Sequence, residues 1–330
     1  MWKATLFNAL TQKSVPAENY PFCTIDPSVG IVAVPDRRLE TLAALSRSAK
    51  TIPAVVEFVD IAGLVRGAAE GEGLGNQFLA HIRETDMIAE VVRIFDDENV
   101  AHVSGAVDPL ADIGAVNLEL VLKDLETLSN RLASTEREVK RGEKKAAEEA
   151  ALLARVREHL EKGQMARTLV LNKKAGGHNL DEHNDERWDA LMNFLAESGS
   201  EYALVDAGVE NELKDLSEDE KQEFRREYGT QDSGIADLIR ACYRLLGLIS
   251  FFTTGEDETR GWTVPRGASA PEAGGAIHSD FRDKFIRASV VGYEDLARSG
   301  SRAAAREQGL LRTEGREYIV QNGDVIEFLI

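Results

Sequence analysis

An aspartate at the end of an apolar segment is the first feature of this sequence that could do chemistry. Residues 55–59 read as a buried strand, Asp60 follows at its carboxyl end, and Gly63 comes three positions later. In nucleoside-triphosphate hydrolases this spacing puts the carboxylate near the Mg²⁺ shell and lets the glycine N–H contact the terminal phosphate. An aspartate that only caps the next turn would give the same short pattern, so both interpretations stand.

The segment after Asp60 is dense in glycine. Residues 63–75 contain five glycines, together with an arginine and two glutamates. A loop with so much backbone freedom needs a ligand to hold it in one shape, and a switch segment has this property. The alternative is an ordinary flexible loop.

A second candidate for metal binding is Thr24, which stands between Pro21 and Pro27. It follows the first predicted helix and precedes the next predicted strand, where a switch hydroxyl could reach Mg²⁺. Hard cations prefer such oxygen ligands. A rigid turn would explain the two prolines equally well.

The amino-terminal residues fit the tail of a phosphate-binding loop. That motif, GxxxxGK followed by Ser or Thr, needs a strand, a glycine-rich turn, a lysine and a hydroxyl. Lys3, Ala4 and Thr5 are the candidate nucleotide-binding residues, with Ala4 in the place of the magnesium-binding hydroxyl and Trp2 in that of the last glycine. Lys3 is either the phosphate-binding lysine or an ordinary lysine near the start of the chain.

A base-reading segment would have to end a later strand. Residues 168–171 are apolar and are followed by Asn172 and Lys173, two further candidate nucleotide-binding residues. The guanine-reading pattern NKxD needs an aspartate at position 175, where this chain has Ala175. Guanine preference is therefore unsupported, and a plain strand-to-turn ending remains open.

The elements that would position these residues alternate between apolar runs and helical stretches. A helix is predicted over residues 4–12, and this alternation is typical of a parallel α/β sheet buried on both faces. The predicted strands are residues 31–34, 55–59, 87–95, 168–171 and 202–205.

Two other regions have a different character. Residues 112–163 are almost entirely helix-forming, with leucine and valine at three-, four- and seven-residue spacings, which predicts two antiparallel helices that fold back at Gly142. From about Ser250 short β-branched and aromatic segments predict a small mixed module. Asn322-Gly323-Asp324 in that module is a hairpin signal.

Composition and charge exclude several classes of protein. The net charge is −18, which opposes indiscriminate binding to nucleic acid, so we expect no DNA binding and any RNA contact to be local. The best local candidate is residues 137–145, although a solvated helix tip would look the same. No apolar run approaches the roughly 20 residues that span a bilayer. Two cysteines and no signal-peptide pattern predict a cytoplasmic protein without membrane contact.

Taken together, these segments resemble the YchF/Obg-like ATPase family, a branch of the Obg-related translation-factor GTPases. The matching pieces occur in the family's order over nearly the whole chain. They are residues 5–12 (TLFNALTQ), 19–27 (NYPFCTIDP), 58–78, 102–105, 260–263, 276–281 and 315–328 (GREYIVQNGDVIEF).

The resemblance implies an α/β fold with three parts. The first is a P-loop G domain in residues 1–111 and 164–248, with a mostly parallel sheet whose first strand is missing here. The second is an antiparallel helical coiled-coil arm inserted at 112–163. The third is a β-grasp TGS domain at 249–330. The implied activity is Mg²⁺-dependent hydrolysis of ATP, or of GTP, by a ribosome-associated switch in translation or stress.

Residue roles follow from the same resemblance. Lys3 falls on the P-loop lysine, Thr24 and Asp60 on the metal ligands, and Gly63 on the phosphate sensor. Asn172 and Lys173 fall on the base-reading segment. Leu64 occupies the place where many GTPases carry a water-orienting glutamine, so His102 is the candidate catalytic residue; a structural histidine is the alternative. The implied partners are ATP or GTP and the ribosome (large subunit or 70S), the latter through the arm and the TGS domain.

Four departures from the family pattern bear on this interpretation. The first strand and the P-loop glycines are absent, Ala4 replaces the magnesium-binding hydroxyl, the chain is shortened around Thr168, and Ala175 replaces the last residue of the family's NxxE. We expect that the natural gene starts upstream. The alternative function is a catalytically impaired, nucleotide-free protein that binds the ribosome or RNA through the arm and the TGS domain.

Overall fold

A computed structural model gives the fold. It describes residues 2–12, 28–61, 82, 84–95, 107–141, 144–165, 186–198, 200–214, 216, 220–221 and 234–330. These residues form two compact units: the described parts of 1–4, 15–28 and 59–202 make one, and those of 5–14, 29–58 and 203–330 make the other. The three predicted domain boundaries stay a prediction.

The chain opens with a helix and a two-stranded ribbon. Helix α1 (Trp2–Thr11) confirms the predicted opening helix and buries Leu6, Phe7 and Leu10. Strands β1 (Ser28–Ala33) and β3 (Val55–Asp60) pair in a two-stranded sheet, which we call the ribbon. Each strand is predicted by its apolar run, and β1 begins three residues earlier than expected.

Two predicted strands are wrong. Residues 87–95 and 202–205 are described and contain no strand. An apolar run becomes a strand only where a neighbouring strand completes its backbone hydrogen bonds, and apolarity alone does not supply that neighbour. Residues 168–171 lie outside the described residues.

Gly30 is where α1 packs closest to the ribbon. A Cβ added there would lie 2.0 Å from Cγ2 of Thr11, a distance that no packed side chain tolerates. We expect Gly30→Ala to lower the free energy of unfolding by about 1–3 kcal/mol through overpacking. In the matched variant Gly114→Ala, the new methyl group meets nothing within 4 Å in a helix, so a gain of about 0.5–1 kcal/mol is expected. Denaturant titration compares the two, and equal effects would contradict the packing argument.

The helical arm consists of two long helices. Helix α3 (Pro109–Lys140) starts with the side chain of Asp108 capping the N–H of Ala111, and the next helix is α4 (Lys144–Glu161). The guanidinium of Arg131 pairs with Glu149 across the two helices, at 2.6 Å, which makes them antiparallel neighbours. The predicted helical hairpin is therefore confirmed. Three shorter helices follow: α5 (Glu186–Ser198), α6 (Ala207–Leu213) and α7 (Gly234–Leu245).

A six-stranded mixed sheet dominates the carboxyl-terminal region. Its strands, in the order in which they pair, are β2 (Lys50–Ile52), β5 (Glu258–Pro265), β4 (Leu248–Thr254), β8 (Asp324–Leu329), β6 (Arg287–Gly292) and β7 (Arg312–Glu314). Strands β4 and β5 form an antiparallel hairpin, and β8 lies between β4, to which it is parallel, and β6, to which it is antiparallel. A hairpin and a helix followed by a final strand parallel to the first give the predicted β-grasp arrangement. The helices that accompany this sheet are α8 (Ala270–Ile277), α9 (Ser279–Asp283), α10 (Tyr293–Ser299) and α11 (Arg302–Glu307).

The predicted hairpin at Asn322-Gly323-Asp324 is wrong, although the turn itself exists. Gly323 has a positive φ of 95°, as such a turn requires. The preceding segment forms only an isolated bridge between Ile319 and Ser269, whereas β8 pairs with β4 and β6. A turn dipeptide fixes the local reversal, and the partners of the strand after it come from distant parts of the chain.

Tyr318 is tied into this turn. Its hydroxyl donates to Oδ2 of Asp324 at 2.7 Å and accepts from Arg312 at 3.0 Å. Burial, followed by the contact with Asp324, raises the pKa of Tyr318 to about 12, against about 10 in an unfolded chain. The unfolded state therefore loses this proton first as the pH rises. The resulting stability is fully present below about pH 10 and is lost as the pH approaches 12.

This shift predicts a pH-dependent difference between two proteins. We expect Tyr318→Phe to have a lower Tm than the parent chain at pH 8, with the gap narrowing as the pH rises from 10 to 12. Circular dichroism melts across pH 8–12 measure it. The comparison isolates one phenol because the other tyrosines titrate in both proteins. A gap that stays constant would show that Tyr318 ionises in its ordinary range.

Within the described residues, no helix is both long enough and apolar enough to cross a membrane.

Candidate nucleotide site

Two elements bring a lysine and an aspartate together. Helix α1 begins at Trp2, so Lys3 lies in its first turn, the end of a helix that favours an anion. Asp60 is the last residue of strand β3, so its side chain lies at the carboxyl end of that strand. The side chains belong to residues far apart in the sequence, and the fold places them in contact.

The contact is close and asymmetric in burial. Nζ of Lys3 lies 3.0 Å from Oδ1 of Asp60, and it also donates to the backbone carbonyl of Ile61. The side chain of Asp60 is 1% exposed, whereas that of Lys3 is 37% exposed. The ammonium group therefore has access to solvent, while the carboxylate lies beneath it.

The carboxylate oxygens of Asp60 can accept further hydrogen bonds or bind a cation. Within the described part of the chain, neither carboxylate oxygen has a hydrogen-bond partner, although Nζ of Lys3 is at ion-pairing distance. We take the Lys3–Asp60 contact as an electrostatic one that lacks hydrogen-bond alignment. A buried carboxylate in this condition is costly unless a cation or donors complete it. An oxygen ligand of this kind suits Mg²⁺ or one of its bound waters.

The neighbouring residues of α1 supply no second oxygen at the expected place. Ala4 is buried and carries no hydroxyl, so only Asp60 among the described candidate metal ligands can contact a cation. The described residues also contain no cluster of three or more His, Cys, Asp or Glu that could hold a metal ion. Any hard cation at this site would need the nucleotide and residues outside the described ranges as further ligands.

The structure brings together two of the predicted site residues and leaves the others untested. Lys3 and Asp60 are in contact, and Ala4 and Thr5 follow Lys3 in the same helix. Five predicted residues lie outside the described ranges: Thr24, Gly63, His102, Asn172 and Lys173. The carbonyl of Ile61 is the addition that sequence reasoning missed, and since every residue has a carbonyl, no sequence signal could have found it.

Two family models and several named relatives match this sequence. The sequence model for the 50S ribosome-binding GTPase family matches residues 3–123, and the model named YchF-GTPase_C, described as a protein of unknown function (DUF933), matches residues 248–330. The chain is 45% identical to the ribosome-binding ATPase YchF of Bacillus subtilis strain 168, over 99% of this chain and 95% of the relative. It is 43% identical to the protein of the same name from Escherichia coli O157:H7, with the same coverage.

A solved structure shows the same fold. The YchF GTPase of Schizosaccharomyces pombe is 31% identical, with a TM-score of 0.80 over 99% of this chain and 94% of that one. The fold and the family models thus define a P-loop nucleoside-triphosphate hydrolase with a mixed sheet and a carboxyl-terminal domain. Within this class, the chain belongs to the YchF family.

Proposed function

We propose that this chain hydrolyses ATP, or GTP, with Mg²⁺ in the cytoplasm, and that it acts as a switch on the ribosome. The observation that carries the proposal is the contact of Lys3 with Asp60 at the amino-terminal end of α1. The relatives named ribosome-binding ATPases, which match nearly the whole chain, support the activity and the partner.

Lys3 is the residue that would bind the phosphates. Its side chain is 37% exposed, and its ammonium group contacts one carboxylate oxygen of Asp60 and the carbonyl of Ile61, so it can turn from these groups to a triphosphate oxygen. Ala4 and Thr5 lie in the same first turn of α1, and the dipole of the helix favours an anion at this end. Binding would thus exchange one charge-assisted contact for another.

Asp60 and Thr24 would hold the magnesium ion. The oxygens of Asp60 fit this role, since they are buried and, apart from the ion-pair contact of Oδ1 with Lys3, accept no hydrogen bond from the described residues. The ion would offset the phosphate charge as it develops during transfer. Because Ala4 supplies no hydroxyl, we expect a weaker hold on the ion than a Ser or Thr at that position would give.

The remaining roles are proposals from the family pattern. Gly63 would contact the terminal phosphate, His102 would position the attacking water in place of a glutamine, and Asn172 with Lys173 would read the base. Ala175 cannot accept from guanine, which favours adenine or mixed specificity.

Direct titration tests the proposed activity. Labelled ATP and GTP would be titrated against the full chain with Mg²⁺ and again with EDTA, followed by measurement of phosphate release. We expect binding that requires Mg²⁺, with ATP bound at least as tightly as GTP. An absence of binding by both nucleotides would leave the alternative function, a nucleotide-free protein that binds the ribosome or RNA.

The arm and the carboxyl-terminal TGS domain would make the contact with the ribosome. Helix α3 has 32 residues and is about 48 Å long. Basic side chains are concentrated near its end, where Arg137, Lys140 and Arg141 are exposed. In a chain of net charge −18, this tip is where a phosphate backbone would meet the least repulsion.

Charge reversal at the tip measures that contribution. We expect Lys140→Glu/Arg141→Glu to weaken co-sedimentation with 70S ribosomes about tenfold or more and to reduce its salt dependence, because two phosphate contacts are lost. The control, Arg155→Glu/Arg157→Glu, makes the same charge change on exposed positions of α4. Equal losses in both variants would indicate a general charge effect and refute a contact at the tip.

A further inference from the structure

The connection between the two strands of the ribbon is not a tight hairpin. After β1 the chain leaves the ribbon, forms α2 (Arg37–Ser46) and β2, and returns to begin β3. We call residues 34–54 the link. Its strand β2 is the edge of the carboxyl-terminal sheet, with Thr51 opposite Thr259 of β5 in parallel register. The link is therefore built into a sheet whose other strands come from residues 248–329.

Hydroxyl groups fix the end of α2 to the β4–β5 hairpin. The side chain of Ser48 donates to the carbonyl of Gly255 at 2.6 Å and lies 2.7 Å from the hydroxyl of Thr259. Thr254 donates to Ser46 at 2.7 Å. Thr259 is fully buried, so these hydrogen bonds are shielded from competition by water.

Apolar packing and one arginine fix the rest of α2 to the sheet. Leu39 and Leu42 are buried in one cluster with Phe252 and Val325 of the sheet. The guanidinium of Arg38 stacks on the ring of Phe252 at 5.0 Å and donates to Asn322 at 3.1 Å. The link is thus bound to the sheet along its whole length.

The two ends of the link, which join it to the ribbon, are short and stiff. Residues 34–36 join β1 to α2, residues 53–54 join β2 to β3, and each joint contains a proline with a restricted φ. The N–H of Val34 donates to the carbonyl of Ala54 at 2.8 Å, which ties the joints together. Ala54 also packs closely against Gly261 of β5. A Cβ added to Gly261 would lie 3.0 Å from the backbone nitrogen of Ala54.

We propose that the link makes the ribbon and the carboxyl-terminal sheet one rigid body. A shift of the ribbon then moves the sheet, since neither joint has the length to absorb it. Asp60 is the last residue of β3, so a nucleotide that repositions Asp60 acts directly on the end of this body. This last step rests on the proposed function. By linkage, a partner on the sheet then changes nucleotide affinity by the factor by which nucleotide changes affinity for that partner.

Native-state hydrogen exchange of the full chain tests the rigid body without any nucleotide. In the parent chain we expect peptides covering 28–33, 55–60 and 248–265 to share one opening free energy as guanidinium is raised. In Arg38→Ala/Ser48→Ala, which removes the arginine and hydroxyl contacts of the link, ribbon peptides should exchange about tenfold faster than β4–β5 peptides. The control Arg298→Ala/Ser299→Ala removes an arginine and a hydroxyl from α10 of the same unit. In this control the ribbon peptides and the β4–β5 peptides should keep one common opening free energy.

The proposal of a rigid body would be refuted if ribbon and β4–β5 peptides had different opening free energies in the parent chain. It would also be refuted if they had equal ones in the link variant. A second measurement adds a non-hydrolysable ATP analogue with Mg²⁺. We expect changed exchange at 55–60 and at 248–265 in the parent chain, and at 55–60 alone in the link variant. A parent chain that responds only at 55–60 would refute the transmission. If titration shows that the analogue does not bind, transmission from nucleotide falls with the proposed function, while the first measurement still decides the rigid body.

Discussion

Substitution of Lys3 by methionine is expected to weaken nucleotide binding about 10- to 100-fold, the loss that follows when one hydrogen bond from a charged donor is removed. The same change leaves the buried carboxylate of Asp60 without its cation. Since the side chain of Lys3 is 37% exposed and water screens part of the interaction, we expect a loss in unfolding free energy of about 1–3 kcal/mol. Fluorescent-nucleotide titration and urea denaturation measure the two effects.

A double variant separates binding from folding. Lys3→Met/Asp60→Asn removes both charges, so stability should recover towards the parent value while nucleotide binding stays weak. Lys162→Met is the control, because Lys162 forms an exposed ion pair with Glu158 on the arm, which contributes little. If the single variant bound nucleotide as the parent does, Lys3 would be an ordinary lysine near the start of the chain, and the proposed site would be wrong.

The chemistry of the site could be predicted further than its geometry. Asp60 is recognisable because a buried strand leads into it and glycine follows, and Lys3 because a helix of the right composition begins beside it. That the two side chains lie 3.0 Å apart depends on how α1 packs on the ribbon, which no local pattern encodes. The resemblance to a family supplied the pairing that periodicity could not.

The elements of the fold likewise differ in whether local sequence patterns predict them. Helices α1, α3 and α4 and the main carboxyl-terminal strands follow from patterns within each segment. The link was not predicted, because β2 is only three residues long and its partner lies about 200 residues further along the chain. The arm shows the limit within a single helix. The leucine spacing predicted the helix, but Leu118 and Leu122, which are part of that spacing, are 52% and 41% exposed, while Leu120 and Val121 are buried.

The largest effect on stability is expected at Phe251. Its side chain is completely buried in the core of the carboxyl-terminal sheet, stacked on Trp262 and in edge contact with Phe328. Phe251→Ala removes a whole ring and leaves a cavity that the strands on either side of β4 cannot close. We therefore expect a loss of about 3–5 kcal/mol in unfolding free energy, measured by guanidinium titration. A loss of this size is a large part of the total of about 5–15 kcal/mol for a typical domain.

Ile286→Ala gives the matched control for this core. Ile286 belongs to the same region but is 65% exposed, so its truncation should change the unfolding free energy by less than about 0.5 kcal/mol. Because the link shares the sheet with Phe251, the cavity should also loosen the ribbon, and amide exchange at residues 55–60 should accelerate in Phe251→Ala but not in Ile286→Ala. A Phe251→Ala protein with parent-like stability would mean that the sheet repacks around the missing ring, and the rigid core on which the link depends would then not exist.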